Sequence, residues 1–325
     1  MIHRNSQAAA PAAISARPSL LLSPARARQS PATRRRARRA TLSPFLYLLP
    51  AALLYGAFLL APLAHTVWIS FYSWDGLSVG HWVGLQNYSD ALQSPDVRGA
   101  FLHSVVLILF FSILPIVLSL ALAGVMTRSP RLKFAGTVRT VLFLPQVIAT
   151  VVVATLWAEL LSPQGGINQL LEDAGLASLT RPWLGSFVTA LPAVGLIGTW
   201  IEAGLCLLLF MAGAGQIPRE LYEAARVDGA GAWREFVAIT LPGLRGQVVV
   251  ALTLTVTAAL RTFDIVYIAT SGGPGTATQT PAFLIYDRAF ITDSVGSACA
   301  IGVLLTILIF GLAFLITRLD RPAQL

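Results

Sequence analysis

The sequence predicts an all-α integral membrane protein with six transmembrane helices and one polar helix–turn–helix segment on its cytoplasmic side. Of its 325 residues, 55% are hydrophobic and only 12% are charged, whereas soluble domains carry about 25% charged residues. A bilayer core about 30 Å thick is crossed by roughly 20 helical residues. Apolar runs of that length occupy residues 44–70, 100–126, 138–161, 189–214, 244–269 and 296–317.

The basic residues orient these spans, because cytoplasmic loops of membrane proteins are enriched in Lys and Arg. The second and fourth connections each carry or border four basic residues, whereas the first, third and fifth carry one each. Both chain termini are also basic. We therefore expect the termini and the even-numbered connections to lie in the cytoplasm.

The ends of the chain are predicted to flank the membrane domain without joining it. Residues 1–41 are rich in Ala, Pro, Ser and Arg, a composition typical of disorder, and form a predicted basic cytoplasmic tail. Nine of the 23 basic residues lie in the first 39 positions. The net charge of +8 therefore leaves no folded basic surface for nucleic acid once the tail is set aside. Residues 42–318 form the membrane domain, and residues 319–325 form a cytoplasmic C-terminus.

No residue pattern in the chain predicts catalysis, a metal site or a bound cofactor. Cys206 and Cys299 lie inside apolar runs, and the four His residues show no ligand spacing. The single lysine, Lys133, does not end a Gly-rich turn, so the chain lacks a P-loop. Its energy must then come from another chain. An ion-coupled secondary transporter is the alternative, with Glu202 and Asp264 as the available intramembrane carboxylates.

Residues 218–242, between the fourth and fifth spans, are polar and helix-prone. Pro218 suits the first turn of a helix, and the pair Asp228-Gly229 predicts a stop because glycine adopts the left-handed conformation. A second short helix is predicted over residues 232–239. The small residues around the turn let another protein approach closely. The segment is either a docking surface for a soluble partner or an ordinary charged loop.

The spacing in this segment resembles the EAA signature of binding-protein-dependent ABC importer permeases. Glu223-Ala224-Ala225 is followed after three residues by Gly229, and after nine more by Ile239-x-Leu241-Pro242. We call residues 218–242 the EAA segment. The sequences VGLQNY (83–88), FLPQVIATVVVATLW (143–157), GGIN (165–168) and RTFDIVYIATSGGPG (261–275) resemble the maltose-type and glycerol-phosphate-type sugar permeases. The likeness covers about residues 42–318.

This resemblance implies a type I ABC importer permease of a bacterial inner membrane. The implied partners are a homologous second permease, a cytoplasmic ABC ATPase dimer that uses ATP and Mg, and an extracytoplasmic substrate-binding protein. The permease itself, surrounded by lipid, carries out no chemistry. The residues that match the family's ATPase-coupling motif are Glu223, Ala224, Ala225, Asp228, Gly229, Leu241 and Pro242.

A substrate site is predicted between the fourth and fifth spans, because charges at bilayer depth are functional candidates. Glu202 lies about 13 residues into its span, roughly 20 Å deep. An aromatic face beside charged hydrogen-bonding groups suits a sugar, with glycerol phosphates as the alternative cargo. Arg261 pairing with Glu202 or with Asp264, purely to neutralise charge, is equally compatible with the sequence. The candidate residues are Trp200, Glu202, Arg261, Asp264 and Tyr267.

Overall fold

The computed structural model describes residues 47–128 and 135–318. The predicted tail (1–41) and C-terminus (319–325) lie outside these residues. Residues up to Leu60 and residues from Ala61 onward form two compact units. The described part of the first unit is wholly helical.

Four helices are each long and apolar enough to cross a membrane. They confirm the predicted first, second, fourth and sixth spans to within a few residues. Two of them contain a π-helical turn, at Gly56–Leu60 and at Leu109–Ile113. The helices are α1 (Tyr47–Ile69), α3 (Pro95–Arg128), α7 (Ala190–Ala214) and α13 (Val295–Arg318).

The predicted third span, residues 138–161, is broken in the structure. Helix α4 (Ala135–Val147) and helix α5 (Thr150–Leu160) meet at an angle of 103°. Pro145 lies inside α4 and has no N–H to donate to the preceding turn, which weakens a helix at that point. Ala149 then takes an extended conformation and starts α5. The apolar run over residues 138–161 predicted the span and did not reveal this bend.

The predicted fifth span, residues 244–269, is also divided. Helix α10 (Arg245–Leu260) ends before Arg261, and helix α11 (Asp264–Ala269) begins three residues later. The break leaves the Thr262 carbonyl to accept a hydrogen bond from the buried Thr280 hydroxyl at 2.8 Å. Irregular backbone at membrane depth is tolerated where the protein itself satisfies such groups. Helix α10 also meets the preceding helix, Ala232–Gly243, at an angle of 69°. If this bent pair and the pair of α4 and α5 each count as one span, the described residues contain up to six.

Helix α7 lies at the centre of the second unit and packs against α3, α4 and α10. It has the largest buried share of the four single spans. Close approach requires glycine on this helix. A Cβ on Gly204 would stand 2.2 Å from the Leu142 carbonyl oxygen in α4, and one on Gly198 would overlap the Phe111 ring. Small residues at helix contacts are typical of membrane bundles.

The first connection folds as a short antiparallel hairpin followed by a helix. Strands β1 (Tyr72–Ser73) and β2 (His81–Trp82) pair Tyr72 with Trp82, and helix α2 follows at Gln86–Gln93. The Asn87 side chain donates hydrogen bonds to the carbonyls of Ser70 and Tyr72 at 2.8 and 2.9 Å. The asparagine of VGLQNY thus fastens α2 to the end of α1 and to β1.

A second asparagine organises the third connection, which contains helix α6 (Gly166–Asp173). Asn168 is buried, and its amide donates to the Arg181 carbonyl at 3.0 Å. The same side chain accepts a hydrogen bond from the Trp183 indole at 2.8 Å. The asparagine of GGIN therefore closes this connection into a compact loop.

The EAA segment folds as the predicted helix–turn–helix, with helix α8 at Arg219–Val227 and helix α9 at Ala232–Gly243. Pro218 precedes α8 as its cap instead of lying in the first turn. Helix α9 is longer than the predicted 232–239 and includes a π-helical turn at Phe236–Thr240 and Pro242 itself. Beyond α11, helix α12 (Pro281–Phe290) leads into α13.

The Asn168 contacts predict a stability defect when they are removed. Replacing Asn168 with Ala leaves the half-buried Trp183 indole N–H without its acceptor, which costs about 1 kcal/mol. We expect a lower thermal unfolding midpoint of the detergent-purified protein. The exposed neighbour Gln169 supplies the control, because Gln169→Ala should leave the midpoint unchanged. Equal midpoints for the two variants would contradict the role assigned to Asn168.

Candidate functional site

The turn of the EAA segment has the hydrogen-bond pattern of a Schellman motif. The Gly229 N–H donates to the Arg226 carbonyl at 3.1 Å, and the Ala230 N–H donates to the Ala225 carbonyl at 2.8 Å. Gly229 has a φ of +76°, the left-handed conformation that glycine adopts without strain. The predicted stop at Asp228-Gly229 is therefore confirmed.

Helix α8 presents its surface to the surroundings of the chain. It has no buried residue, and four of the motif residues, Glu223, Ala224, Asp228 and Gly229, are exposed. In the part of the chain that the structure describes, Glu223 makes no ion pair. Ala225 is half-buried, and Leu241 and Pro242 are exposed on α9. Most of the signature residues thus lie on a surface that residues 47–128 and 135–318 leave uncovered.

A buried carboxylate lies behind this surface. Glu235, in the first turn of α9, has only 3% of its surface exposed. Its carboxylate accepts a hydrogen bond from the Arg226 Nε of α8 at 3.1 Å and lies 3.9 Å from the Arg128 guanidinium at the end of α3. We call these three residues the Glu235 clamp. The clamp connects the two helices of the EAA segment with a membrane-spanning helix.

Sequence reasoning missed this clamp. One signal was available, since Glu235 immediately precedes Phe236, an aromatic residue on a helix at the membrane surface. Phe236 packs on Gly124 of α3, where a Cβ would stand 2.8 Å from the phenyl ring. Because Glu235 is adjacent to Phe236 in the sequence, its backbone lies close to the contact that Phe236 makes with α3. Arg128 gave no such signal, because it is one of four basic residues in or beside the second connection.

The five candidate substrate residues lie in three separate places. Trp200 on α7 is half-buried and meets Trp157 of α5 edge to face at 5.6 Å. Glu202 is buried in α7, with 8% exposure. Arg261, Asp264 and Tyr267 lie at and beyond the break after α10 and are exposed. Among the described residues, Arg261 makes no ion pair with Glu202 or with Asp264, so neither neutralising pair forms.

The break after α10 does assemble an aromatic cluster that the sequence did not reveal. Phe263 stacks on Tyr267 at 5.2 Å, and both rings contact Tyr286 of α12 at 5.2 Å. Phe290 continues the row at 5.5 Å from Tyr286. Only Tyr267 of this cluster was among the predicted residues. Tyr286 and Phe290 lie in the connection to the last span. The sequence did not show which residues of this connection would contact α11.

Comparison with known proteins decides the family. Residues 116–323 match the family described as the binding-protein-dependent transport system inner membrane component. The chain belongs to this family. The matched range runs from the middle of α3 through the EAA segment and α13. The family predicted from the EAA spacing is therefore confirmed, and with it the chain's place among the inner-membrane components of ABC transporters.

Individual relatives and one solved structure agree with this assignment. The chain is 35% identical to the probable ABC transporter permease YurN of Bacillus subtilis, over 84% of this chain and 94% of the relative. It is 32% identical to the trehalose/maltose transport system permease MalF of Thermococcus litoralis, over 83% and 92%. A bacterial ABC transporter that imports alginate has the same fold, with a TM-score of 0.75 at 24% identity over 90% of this chain and 100% of that one. The fold is that of a type I ABC importer permease.

Glu202 offers a test of whether its side chain faces the transported molecule. Glu202→Gln keeps the shape of the side chain and removes its charge, so we expect an altered KM or substrate range for import, while the amount of assembled complex stays at the wild-type level. Import by the reconstituted transporter, measured beside size-exclusion chromatography, gives both quantities. A loss of assembled complex with unchanged KM in the remainder would assign Glu202 to packing alone.

Proposed function

We propose that this chain is the membrane-spanning half of an ATP-driven sugar importer. It accepts the sugar from an extracytoplasmic binding protein and releases it into the cytoplasm by alternating access. The observation that carries the proposal is the EAA segment. Its signature residues are held in a fixed helix–turn–helix and left exposed for another chain.

The proposed contact is with a cytoplasmic ABC ATPase. The EAA helix α8 exposes Glu223, Ala224, Asp228 and Gly229 together. Small residues allow a partner's backbone to come close, and the unpaired Glu223 carboxylate offers a charge for a partner's arginine. Half-buried Ala225 and the exposed Leu241 and Pro242 complete the proposed contact. This chain itself hydrolyses nothing and binds no cofactor, so ATP and Mg belong to the ATPase subunits.

A homologous second permease is the other proposed partner. Helix α1 supports this, because none of its residues from Ala61 to Ile69 is buried. In the proposed assembly two such permeases enclose the pathway, and ATP-driven closure of the ATPases rocks them between inward-open and outward-open states. The basic residues near the EAA segment support a position of this segment and of both termini on the cytoplasmic side of a bacterial inner membrane.

The proposed cargo is a mono- or oligosaccharide. The relative from Thermococcus litoralis is named for trehalose and maltose, and the structurally similar importer carries alginate. The cluster of Phe263, Tyr267, Tyr286 and Phe290 fits this class, since aromatic faces stack on the apolar faces of sugar rings while phenol groups bond to hydroxyls. These relatives favour a sugar over a glycerol phosphate. They also favour ATP over an ion gradient as the energy source.

Two substitutions test the proposed coupling. Glu223→Ala removes the exposed carboxylate, and Gly229→Asp forces a side chain into the left-handed turn, which costs about 1 kcal/mol or more. We expect both to lower import at least tenfold and to reduce the ATPase that copurifies, with normal membrane insertion. Import is measured with the sugar that a ligand screen identifies for the cognate binding protein.

Matched controls keep this test specific. Gly136→Asp places the same side chain in the first turn of α4, where nothing lies within 4 Å of a Cβ. Glu172→Ala removes an exposed carboxylate from α6. Both controls should import normally. Wild-type import by Glu223→Ala and Gly229→Asp would show that the EAA segment does not contact the ATPase.

The aromatic cluster gives an independent test of the cargo class. Replacing Tyr267 or Tyr286 with Phe removes a phenol oxygen and keeps the ring, whereas replacing either with Ala removes the stacking face. We expect import KM to rise modestly for the Phe variants and about fivefold for the Ala variants, in keeping with roughly 1 kcal/mol for a ring contact. Unchanged KM values in the Ala variants would remove the cluster from the sugar pathway.

A further inference from the structure

Helix α8 is attached to the rest of the chain by few side-chain contacts. None of its residues is buried. Arg226 donates a hydrogen bond to Glu235 at 3.1 Å, and the Tyr222 hydroxyl lies 3.0 Å from the Thr240 hydroxyl. Both contacts end on α9. A force on α8 therefore reaches the membrane helices by two routes, through these side-chain contacts with α9 and along the chain through residues 215–218 to α7.

Helix α9 in turn meets α3 at two points. Phe236 packs against Gly124, and Glu235 lies 3.9 Å from Arg128. Beside these two contacts, an apolar groove of about 630 Å³ separates α9 from α3. Its lining includes Val117 and Val125 of α3 and Trp233 of α9. Phe236 also packs against an apolar cluster that includes Ala123 and Met126 of α3, so the Glu235–Arg128 contact is the polar part of the connection.

The two contacts differ in what they resist. An aromatic ring on a glycine slides readily, because dispersion contacts are individually weak and have no preferred direction. Arg226 makes a directional hydrogen bond to the Glu235 carboxylate, and Arg128 lies 3.9 Å from it as an ion pair. Separation of the carboxylate from both arginines leaves a charge unpaired in a low-dielectric site. Glu235 is buried while Arg128 and Arg226 keep 43% and 49% of their side chains exposed. The acid is thus the shared, immobile centre of the clamp.

We infer that Glu235 is a positioning residue that makes α3 follow α8 when the ATPase moves. Arg226 attaches α8 to the carboxylate, and Arg128 attaches the end of α3 to the same carboxylate. The three side chains convert a push on an exposed helix into displacement of a membrane-spanning one. This inference rests on the proposed function, because it assumes that the ATPase moves α8.

The test measures whether the two helices keep their separation through the ATP cycle. Single cysteines that carry nitroxide labels replace exposed Val227 on α8 and exposed Val125 on α3. The native cysteines are removed by Cys206→Ala and Cys299→Ala. The full transporter, in nanodiscs, is compared without nucleotide and after trapping with ATP and vanadate by pulsed electron paramagnetic resonance. In the wild type we expect the Val227–Val125 distance to stay constant. In Glu235→Ala we expect it to shift by several ångströms on trapping.

Arg128→Gln gives the sharper variant, because it leaves the Arg226–Glu235 contact in place. We expect the same shift as in Glu235→Ala, and no further increase when both substitutions are combined, since residues acting through one contact are not additive. Arg318→Gln is the matched control, because Arg318 also ends a membrane-spanning helix. It should retain the constant distance of the wild type. Arg128→Gln also serves as the test if Glu235→Ala fails to fold.

A reference pair separates this inference from the proposed function. Labels at Val227 and at Leu77, in the first connection, report whether α8 moves at all on trapping. Failure of the wild-type transporter to import a sugar with ATP would overturn the proposed function, whatever the Val227–Leu77 distance does. If the Val227–Leu77 distance changes on trapping, two results would overturn the role of Glu235 alone. One is a Val227–Val125 distance that stays constant in Glu235→Ala and Arg128→Gln. The other is a Val227–Val125 distance that changes in the wild type.

Discussion

The hydrocarbon core of a membrane offers no partner for an unpaired polar group, and this constraint shapes the whole chain. Helices satisfy their own backbone, so the described apolar stretches are helical. Where α10 gives way to α11, the Thr262 carbonyl would be left unpaired if Thr280 did not donate to it. The break survives because the protein replaces the missing water, and it brings Phe263, Tyr267 and Tyr286 together.

The same constraint concentrates charge at the ends of the helices, where the EAA segment lies. Glu235 is a buried acid tolerated because two arginines meet it. With Glu235 held inside, α8 can expose Glu223 and the Ala224–Gly229 turn to another chain. In the proposed coupling, the fixed turn at Gly229 shapes the surface that contacts the ATPase. The Glu235 clamp connects that surface to α3. The proposed docking surface thus depends on which charged groups are paired inside the protein, as Glu235 is, and which are left exposed, as Glu223 is.

Much of the fold was predictable from the sequence, for identifiable reasons. Apolar run length located the four unbroken spans, and the Asp228-Gly229 pair located the turn because few residues other than glycine take its conformation. The breaks at Ile148 and Arg261 were missed, because hydropathy does not register a helix end whose polar groups find partners elsewhere. The Glu235 clamp and the Tyr286 contacts join residues far apart in the chain, and their register depends on packing that no local pattern specifies. Pairing of Arg261 with Glu202 or Asp264 was equally plausible from spacing and does not occur.

The central claim is that the surface of α8 docks on a cytoplasmic ATPase, and site-directed cross-linking tests it most directly. In a background of Cys206→Ala and Cys299→Ala, a single cysteine replaces Ala224 on α8 or Leu77 in the first connection, both exposed. We predict that a short thiol cross-linker joins the Ala224→Cys variant to the ATPase subunit, and that a membrane-impermeant maleimide labels only Leu77→Cys from outside intact cells. External labelling of Ala224→Cys, with no cross-link to the ATPase, would contradict both the orientation and the docking surface.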